Sequence, residues 1–393
     1  MTPKETVPRK KSCNHCYQSK ARCDLKRPSC TRCRNRSLDC IYVAAKLDTE
    51  SDISQHFSAT VNEAWLSAPP AAEGLATELL DFDNIHLVCT VDEHRIRGRW
   101  LESLLPSMDQ RPKPFHPSTM AFVTRVFKSY PRMFLTENLP PFIHWSQIAY
   151  RIAEPLANCM NIARMWVTQT PESAAMVREV IGQEMSRIFQ KVGTSILRTG
   201  SGAERGEQRA FSGHLELLAI LQGYLLYAIM LFCSANATSF VEQDIMIKLQ
   251  DLAGDLASRG TLCPAETNGS RPDWESWIVA STKRRTLFAT YLLDNLVNFT
   301  VGSPSYVAVE LTGLPAPASK TLWNARDRRS WNTAYNQQLG LWSDGELLIN
   351  DLWPQSDPNP SLVRQKKIDN WLSSVDEFGM MLYAVTSHTY QEA

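Results

Sequence analysis

Six cysteines near the N-terminus constrain this chain more than any other feature of its sequence. They form two triplets of equal spacing, which are Cys13, Cys16 and Cys23, then Cys30, Cys33 and Cys40. A segment that repeats sulfur at matched positions is a short tandem repeat. Two cysteines separated by two residues can both bind one metal ion from a single helical turn. The pattern therefore predicts a metal site built from both halves.

The number of sulfurs indicates a shared cluster. Two separate tetrahedral zinc ions would need eight ligands, and the segment offers six thiolates. If Cys13 and Cys30 each bridge both ions, every coordination position is filled by sulfur and none is left for a substrate water. Such a closed site is structural rather than catalytic. We predict two zinc ions as cofactors, held by Cys13, Cys16, Cys23, Cys30, Cys33 and Cys40.

Disulfide bonds are the alternative use of clustered cysteines. Residues 1–11 contain four Lys and Arg but no apolar run of the kind found in a secretory signal. We expect the chain to stay in a reducing compartment, where clustered cysteines favour metal. Zinc suits a tetrahedral sulfur site without redox chemistry, and the sequence leaves other soft metal ions open.

The charge is divided unevenly along the chain. The first forty residues carry eleven Lys and Arg and three Asp and Glu, a net charge of +8. The remaining residues carry 30 cations and 38 anions, a net charge of −8, so the neutral total hides a basic head on an acidic body. Six thiolates on two zinc ions account for only about −2 of charge. Most of the basic excess is therefore left to attract nucleic acid.

The segment from Cys13 to Tyr42 resembles the fungal binuclear zinc cluster, or Zn2Cys6, transcription factors. All six cysteine spacings match that family, as do Pro28, two residues before Cys30, and Tyr42 itself, two residues after Cys40. The resemblance implies a helix that starts at the first cysteine pair and whose C-terminal end enters the major groove of DNA. It also implies a nuclear protein that binds double-stranded DNA at CGG-type half-sites.

The same resemblance implies particular DNA contacts. The family's base-reading lysine corresponds to Lys20, and the basic residue before its third cysteine corresponds to Arg22. Residues 17–19 (YQS) depart from the basic residues that the family often has there, which reduces the expected number of phosphate contacts. The remaining predicted DNA-binding residues are Lys11, Arg32, Arg34 and Arg36.

Composition divides the chain into four parts. Residues 1–12 are a basic arm and residues 13–42 the DNA-binding domain, while residues 43–84 are rich in Ser, Asp, Thr, Ala and Pro and form a linker. The linker has no sustained apolar heptads, so no coiled coil is expected there. The sequence leaves homodimerisation open, and we expect either a monomer or a dimer held by the helical regulatory domain, residues 85–393.

Successive helical patterns and no strand pattern predict an all-α regulatory domain. One helix is expected to open at Ser118 or Thr119 and to end at Pro131. Pro155 suits the first turn of another helix. Further apolar spacings predict helices over residues 176–189 and 240–256, with Gly260 just past the end of the latter.

Two longer patterns follow. Residues 274–299 read as one long helix with Lys283, Arg284 and Arg285 on its surface, and residues 362–382 read as a second one. An apolar run over residues 217–235 is nearly long enough to span a bilayer, but no Lys or Arg flanks it closely. We expect this run to be a buried central helix and predict no membrane partner.

The regulatory domain also resembles the region that follows the zinc cluster in fungal regulators of secondary-metabolite gene clusters. The matching stretches are residues 139–144 (LPPFIH), 163–166 (ARMW), 271–274 (RPDW) with Trp277, and 313–317 (GLPAP). The resemblance implies a helical region that binds an effector or a partner, such as a co-regulator or the transcription machinery.

The sequence shows no motif of an enzyme. The metalloprotease H-E-x-x-H, the G-x-S-x-G nucleophile turn and the phosphate-binding G-x-x-x-x-G-K-[ST] are all missing from the chain. We interpret it as a sequence-specific transcription regulator of a biosynthetic gene cluster. Two alternatives are an interaction protein with weak DNA binding and a zinc enzyme with a second, open metal site.

Overall fold

The helices account for nearly all of the regular structure. A computed structural model describes residues 13, 16, 19, 21–26, 30–36, 38, 40, 80–102, 104–105, 112–149, 152–200, 213–232, 239–342, 345–353 and 361–387. Over these residues there is no β-strand, and extended pairing is limited to two isolated bridges, Val88 with Leu262 and Pro315 with Leu348. The all-α prediction for the body is confirmed.

The chain separates into two compact units, residues 1–76 and residues 77–393. The first unit contributes one short described helix, α1 (Thr31–Asn35), and the second contributes the body. In chain order the body helices are α2 (Glu93–Glu102), α3 (Pro117–Met133), α4 (Ser146–Ala149), α5 (Glu154–Thr168), α6 (Ala174–Gly200), α7 (His214–Phe232), α8 (Ser239–Ser258), α9 (Pro264–Thr267), α10 (Trp274–Val301), α11 (Lys320–Trp323), α12 (Arg328–Leu341), α13 (Leu362–Leu372) and α14 (Glu377–Thr386). Two 3₁₀ turns, Val309–Leu311 and Ile349–Leu352, lie between the later helices.

Helix α7 lies at the centre of the main core. It contacts α3, α5, α6, α8 and α10, and nearly all of its residues after the first turn are buried. Its length and composition would suit a membrane span, but 78% of its most apolar stretch is buried inside the protein. The polar Gln222 within it is satisfied, because its amide donates to Phe142 O at 2.6 Å and accepts from Gln147 Nε2 at 2.9 Å. The prediction of a buried central helix is confirmed.

Helix α10 connects the main core to a smaller second core. Its N-terminal half packs Trp274, Trp277 and Ile278 against Trp331 and Tyr335 of α12. Its C-terminal half, from residue 287 onward, packs into the main core. Leu80 and Phe82, which the sequence assigns to the linker, pack against the second core.

Three expectations about the helices are wrong in detail. The helix predicted to end at Pro131 continues to Met133, because a proline so near the end removes a single backbone hydrogen bond while Phe127 and Tyr130 still gain burial. The pattern over residues 362–382 is two helices, since Asp376 caps a new one by accepting from the Gly379 N–H at 3.1 Å.

The third correction concerns the charged triad of α10. Lys283, Arg284 and Arg285 were expected on the surface, but their exposures are 0%, 4% and 0%. Arg284 pairs with Glu266 at 3.0 Å, and Arg285 pairs with Asp376 at 2.7 Å. Buried charges of this kind require partners from elsewhere in the chain. The helix that carries them is central, so every face of it is covered.

Candidate metal centre and nucleic-acid interface

The six sulfurs of the first unit converge on one small region. Cys13, Cys16, Cys30 and Cys33 are fully buried, and Cys23 and Cys40 are partly exposed. The Sγ atoms of Cys13 and Cys30 are 3.8 Å apart, those of Cys13 and Cys33 are 3.7 Å apart, and those of Cys16 and Cys30 are 3.7 Å apart. These separations are far longer than a disulfide bond, which is about 2.05 Å.

The sulfurs fall into two groups of four that have two members in common. One group is Cys13, Cys16, Cys23 and Cys30, and the other is Cys13, Cys30, Cys33 and Cys40, with all ligand atoms of a group within 4.8 Å of one another. A tetrahedral zinc ion with Zn–S bonds of about 2.3 Å has sulfur–sulfur edges of about 3.8 Å. The measured separations match that edge, so this donor set fits zinc. The shared members, Cys13 and Cys30, are the two cysteines expected to bridge if the site holds two zinc ions.

Backbone N–H groups orient the sulfurs. Cys30 stands at the N-cap of α1 and its Sγ accepts from the Cys33 N–H at 3.4 Å. The Cys30 N–H in turn donates to the Sγ of Cys40 at 3.2 Å. Each bond stabilises negative charge on sulfur, which is the form that binds metal. Backbone donors at the start of α1 therefore orient two of the six sulfurs, those of Cys30 and Cys40.

Two polar side chains connect the halves of the repeat, and the sequence reasoning missed both roles. Asp24, just after the first triplet, accepts from Thr31 N at 3.0 Å and from Thr31 Oγ1 at 2.6 Å, and these bonds hold the pKa of its carboxyl below its usual value. The Arg32 guanidinium donates to Ser19 Oγ at 2.8 Å and approaches Cys16 Sγ at 3.9 Å. No local sequence rule finds these contacts, because their partners are 7 to 16 residues apart.

The predicted DNA-binding residues are distributed unevenly over this unit. Arg22, Arg34 and Arg36 have exposed side chains. Arg32 is half-buried and is engaged with the first half of the repeat, as described above. Lys11 and Lys20 lie outside the described residues, as does most of the helix expected after the first cysteine pair. The exposed arginines offer donors for phosphate oxygens at the surface of the cluster.

Comparison with known proteins agrees with this geometry. Residues 11–48 match the fungal Zn(2)-Cys(6) binuclear cluster domain. Residues 211–374 match the fungal specific transcription factor domain. The chain belongs to the fungal Zn(2)-Cys(6) transcription factors. Transcription factors, rather than enzymes, make up this family, so the alternative of a zinc enzyme is not supported.

One relative matches this chain over most of its length. The chain is 21% identical over 377 residues to "Transcription factor gsfR2" of Penicillium aethiopicum, and the match covers 84% of this chain and 85% of the relative. No solved structure is significantly similar to the chain. The second matched domain contains α7 through α13 and so includes both the central helix and the buried charged triad.

Proposed function

We propose that this transcription regulator binds specific DNA sequences through a cluster of two zinc ions held by all six cysteines. The observation that carries the proposal is the pair of four-sulfur groups that share Cys13 and Cys30. Six thiolates then supply eight coordination positions, and the closed site serves folding rather than chemistry. The cluster domain spans residues 13–42, with a linker over 43–84 and a helical regulatory domain over 85–393.

In this proposal, different residues contact the DNA bases and the DNA phosphates. Lys20, by its place after Cys16, donates to guanine acceptors of a CGG-type half-site in the major groove. The exposed Arg22, Arg34 and Arg36 contact phosphate, together with Lys11 of the arm. Arg32 donates one hydrogen bond to Ser19, and its other guanidinium N–H groups contact phosphate.

The place of action is the nucleus and the target is a secondary-metabolite gene cluster. Support for the nucleus comes from the transcription-factor family and from the basic head of the chain. Support for the target comes from the sequence stretches that resemble regulators of such clusters, among them residues 139–144 and 313–317. The absence of heptads in the linker favours a monomer, or a dimer held by the helical body.

Metal analysis of the purified full-length chain tests the cluster. We expect two zinc ions per chain. Cys13→Ser removes a bridging sulfur and should lower the zinc content by more than one ion, whereas Cys89→Ser, which changes an exposed cysteine of the body, should leave it at two. One ion per chain in the unmodified protein would exclude the bridged cluster.

A salt titration of DNA binding tests whether Lys20 is the residue that recognises the bases. Lys20→Ala should cost roughly 1–3 kcal/mol on a selected site and much less on a scrambled one. Arg34→Ala should weaken both alike and reduce the slope of log affinity against log salt by about one. Both variants keep all six cysteines, so unchanged zinc content controls for folding. If Lys20→Ala weakens binding to both DNAs equally, Lys20 does not recognise the bases. If a selection from genomic DNA yields no specific site, the chain is better described as an interaction protein.

A further inference from the structure

One cation of the buried triad differs from its neighbours. Arg284 and Arg285 each have a carboxylate partner, Glu266 and Asp376. Lys283 has none within the parts of the chain that the structure describes. Its Nζ donates instead to backbone oxygens, Gly260 O at 2.8 Å, Arg259 O at 3.2 Å and Leu256 O at 3.5 Å, and lies 3.0 Å from His214 Nδ1.

A fully buried ammonium without a counter-ion is costly. The carbonyls just past the end of α8 compensate it in part, since a helix C-terminus carries about half a negative charge. The remaining cost lowers the pKa of Lys283 to about 7, with burial as the main cause and the nearby Arg259 as the second. Burial, followed by Lys283 and Arg259, lowers the pKa of His214 to about 4. His214 is therefore neutral at pH 7, and its ring faces Lys283.

An open cleft lies beside this pair. Its volume is about 470 Å³, which is in the range of small-molecule sites. Its lining residues are Leu87, Cys89, Gly213, His214, Ser258, Arg259 and Gly260. His214 lines the cleft and also contacts Lys283, so it lies between the buried charge and solvent. The exposed side chain of Arg259 adds a second cation at the mouth.

The floor of the cleft is rigid. Gly260 has a φ of +86°, and a Cβ added there would lie 2.6 Å from the Cβ of Leu87. The neighbouring backbone is pinned by the bridge in which Val88 N donates to Leu262 O at 2.8 Å. The carbonyl that receives the shortest Lys283 bond therefore belongs to a residue that cannot shift or be replaced without strain. The Lys283 Nζ is therefore held in one position below the cleft.

We propose that this cleft binds a small organic anion, a carboxylate- or phosphate-bearing molecule whose negative charge serves as a counter-ion for Lys283, which has no carboxylate partner among the described residues. The anion contacts Arg259 and the ring of His214, and it favours the protonated form of Lys283 beneath them. The lining contains both charged and apolar side chains, and Leu87 and Cys89 can pack against the carbon skeleton of the ligand. All residues of the cleft belong to the second unit, so the ligand proposal does not rest on the DNA-binding proposal.

The purely structural alternative makes a different prediction. If Lys283 only caps α8, its replacement by methionine removes needed hydrogen bonds and lowers the thermal stability of the ligand-free protein. If Lys283 awaits a counter-ion, Lys283→Met removes an uncompensated charge while keeping the apolar stem. The ligand-free melting temperature should then stay within about 2 °C of the unmodified protein or rise.

Calorimetric titration of the zinc-loaded full-length protein tests the site. The probes are benzoate, citrate and glucose 6-phosphate, each at constant ionic strength against sodium chloride, so that an aromatic carboxylate, a polycarboxylate and a phosphate ester are distinguished. We expect at least one probe to bind with a Kd below about 1 mM and sodium chloride to have no effect. Arg259→Ala should weaken that binding roughly tenfold or more, through loss of a charge-assisted bond. Arg329→Ala, an exposed arginine of α12, is the matched control and should leave it unchanged.

Three results would overturn the proposal. The first is that none of the three probes binds, and the second is that a probe binds equally well to the Arg259→Ala variant. The third is that Lys283→Met destabilises the ligand-free protein and leaves probe binding intact. If Lys283→Met fails to fold, the Arg259→Ala result decides whether the cleft is an anion site.

Discussion

Replacing Arg285 by methionine should destabilise the body more than any change to a surface ion pair. Arg285 Nη1 donates to Asp376 Oδ2 at 2.7 Å and to Pro141 O at 3.2 Å, and Nη2 donates to Ala318 O at 3.4 Å. Its guanidinium also lies 4.1 Å from the centre of the Trp323 ring. One side chain thus joins α10 to the segment before α4, to the approach to α11 and to the start of α14.

The magnitude follows from the geometry. Two unit charges 2.7 Å apart attract each other by about 6 kcal/mol at an effective dielectric constant of about 20. Most of this attraction offsets the desolvation of the two buried groups, so the net value of the pair is small. Arg285→Met leaves the desolvation of Asp376 without that compensation. We therefore expect a loss of about 3–5 kcal/mol in the free energy of unfolding.

The assay is urea unfolding of the full-length chain followed by far-ultraviolet circular dichroism, which reports the helices of the body. Lys320→Met is the matched control, because Lys320 pairs with Glu377, the neighbour of Asp376, at 3.3 Å with both side chains more than half exposed. Such a surface pair is worth about 0–1 kcal/mol. Asp376→Asn keeps an acceptor for the helix cap, and combined with Arg285→Met it should cost less than the sum of the single changes.

Two outcomes would refute this reasoning. If Arg285→Met costs no more than Lys320→Met, the buried pair is not compensating a desolvated carboxylate. If the Arg285 and Asp376 changes are additive, the two groups are not coupled and the 2.7 Å contact has no energetic consequence.

Three further expectations concern glycine, histidine and zinc. Gly260→Ala should lower the free energy of unfolding by more than about 2 kcal/mol in the same urea assay, because the added Cβ would clash with Leu87. Gly302→Ala, at a φ of +75° with open space around it, should cost only about 1–2 kcal/mol. Equal costs for the two variants would show that the clash with Leu87 does not contribute. Burial lowers the pKa of His144 from 6.5 to about 3. Between these two pH values the unfolded chain binds a proton at this residue and the folded chain does not. The free energy of unfolding should therefore fall by up to about 1.4 kcal/mol per pH unit as the pH drops below 6.5. His144→Gln should flatten this acid slope, and the same change at the exposed His94 should not. A chelator should unfold the six-cysteine segment and leave the helical signal of the body, and loss of most of that signal would contradict this expectation.

The metal chemistry of this protein could be predicted from the sequence because all of its ligands lie close together in the chain. Six cysteines within 28 residues, spaced as two equal triplets, can meet without help from any distant element. For the predicted pair of zinc ions, their count implies two shared sulfurs, and the structure places Cys13 and Cys30 in both groups. Helical periodicity was equally local, so it predicted the all-α body and the buried helix α7.

What the tertiary structure decided is where charge is buried. A run of three cations reads as surface in any sequence, and only packing brings Glu266 to Arg284 and Asp376 to Arg285, the latter from 91 positions away. The same packing broke the predicted helix over residues 362–382, because Asp376 both caps α14 and pairs with Arg285. Local propensity contains no information about such partners, since the free energy of a buried ion depends on whichever groups the whole fold brings to it.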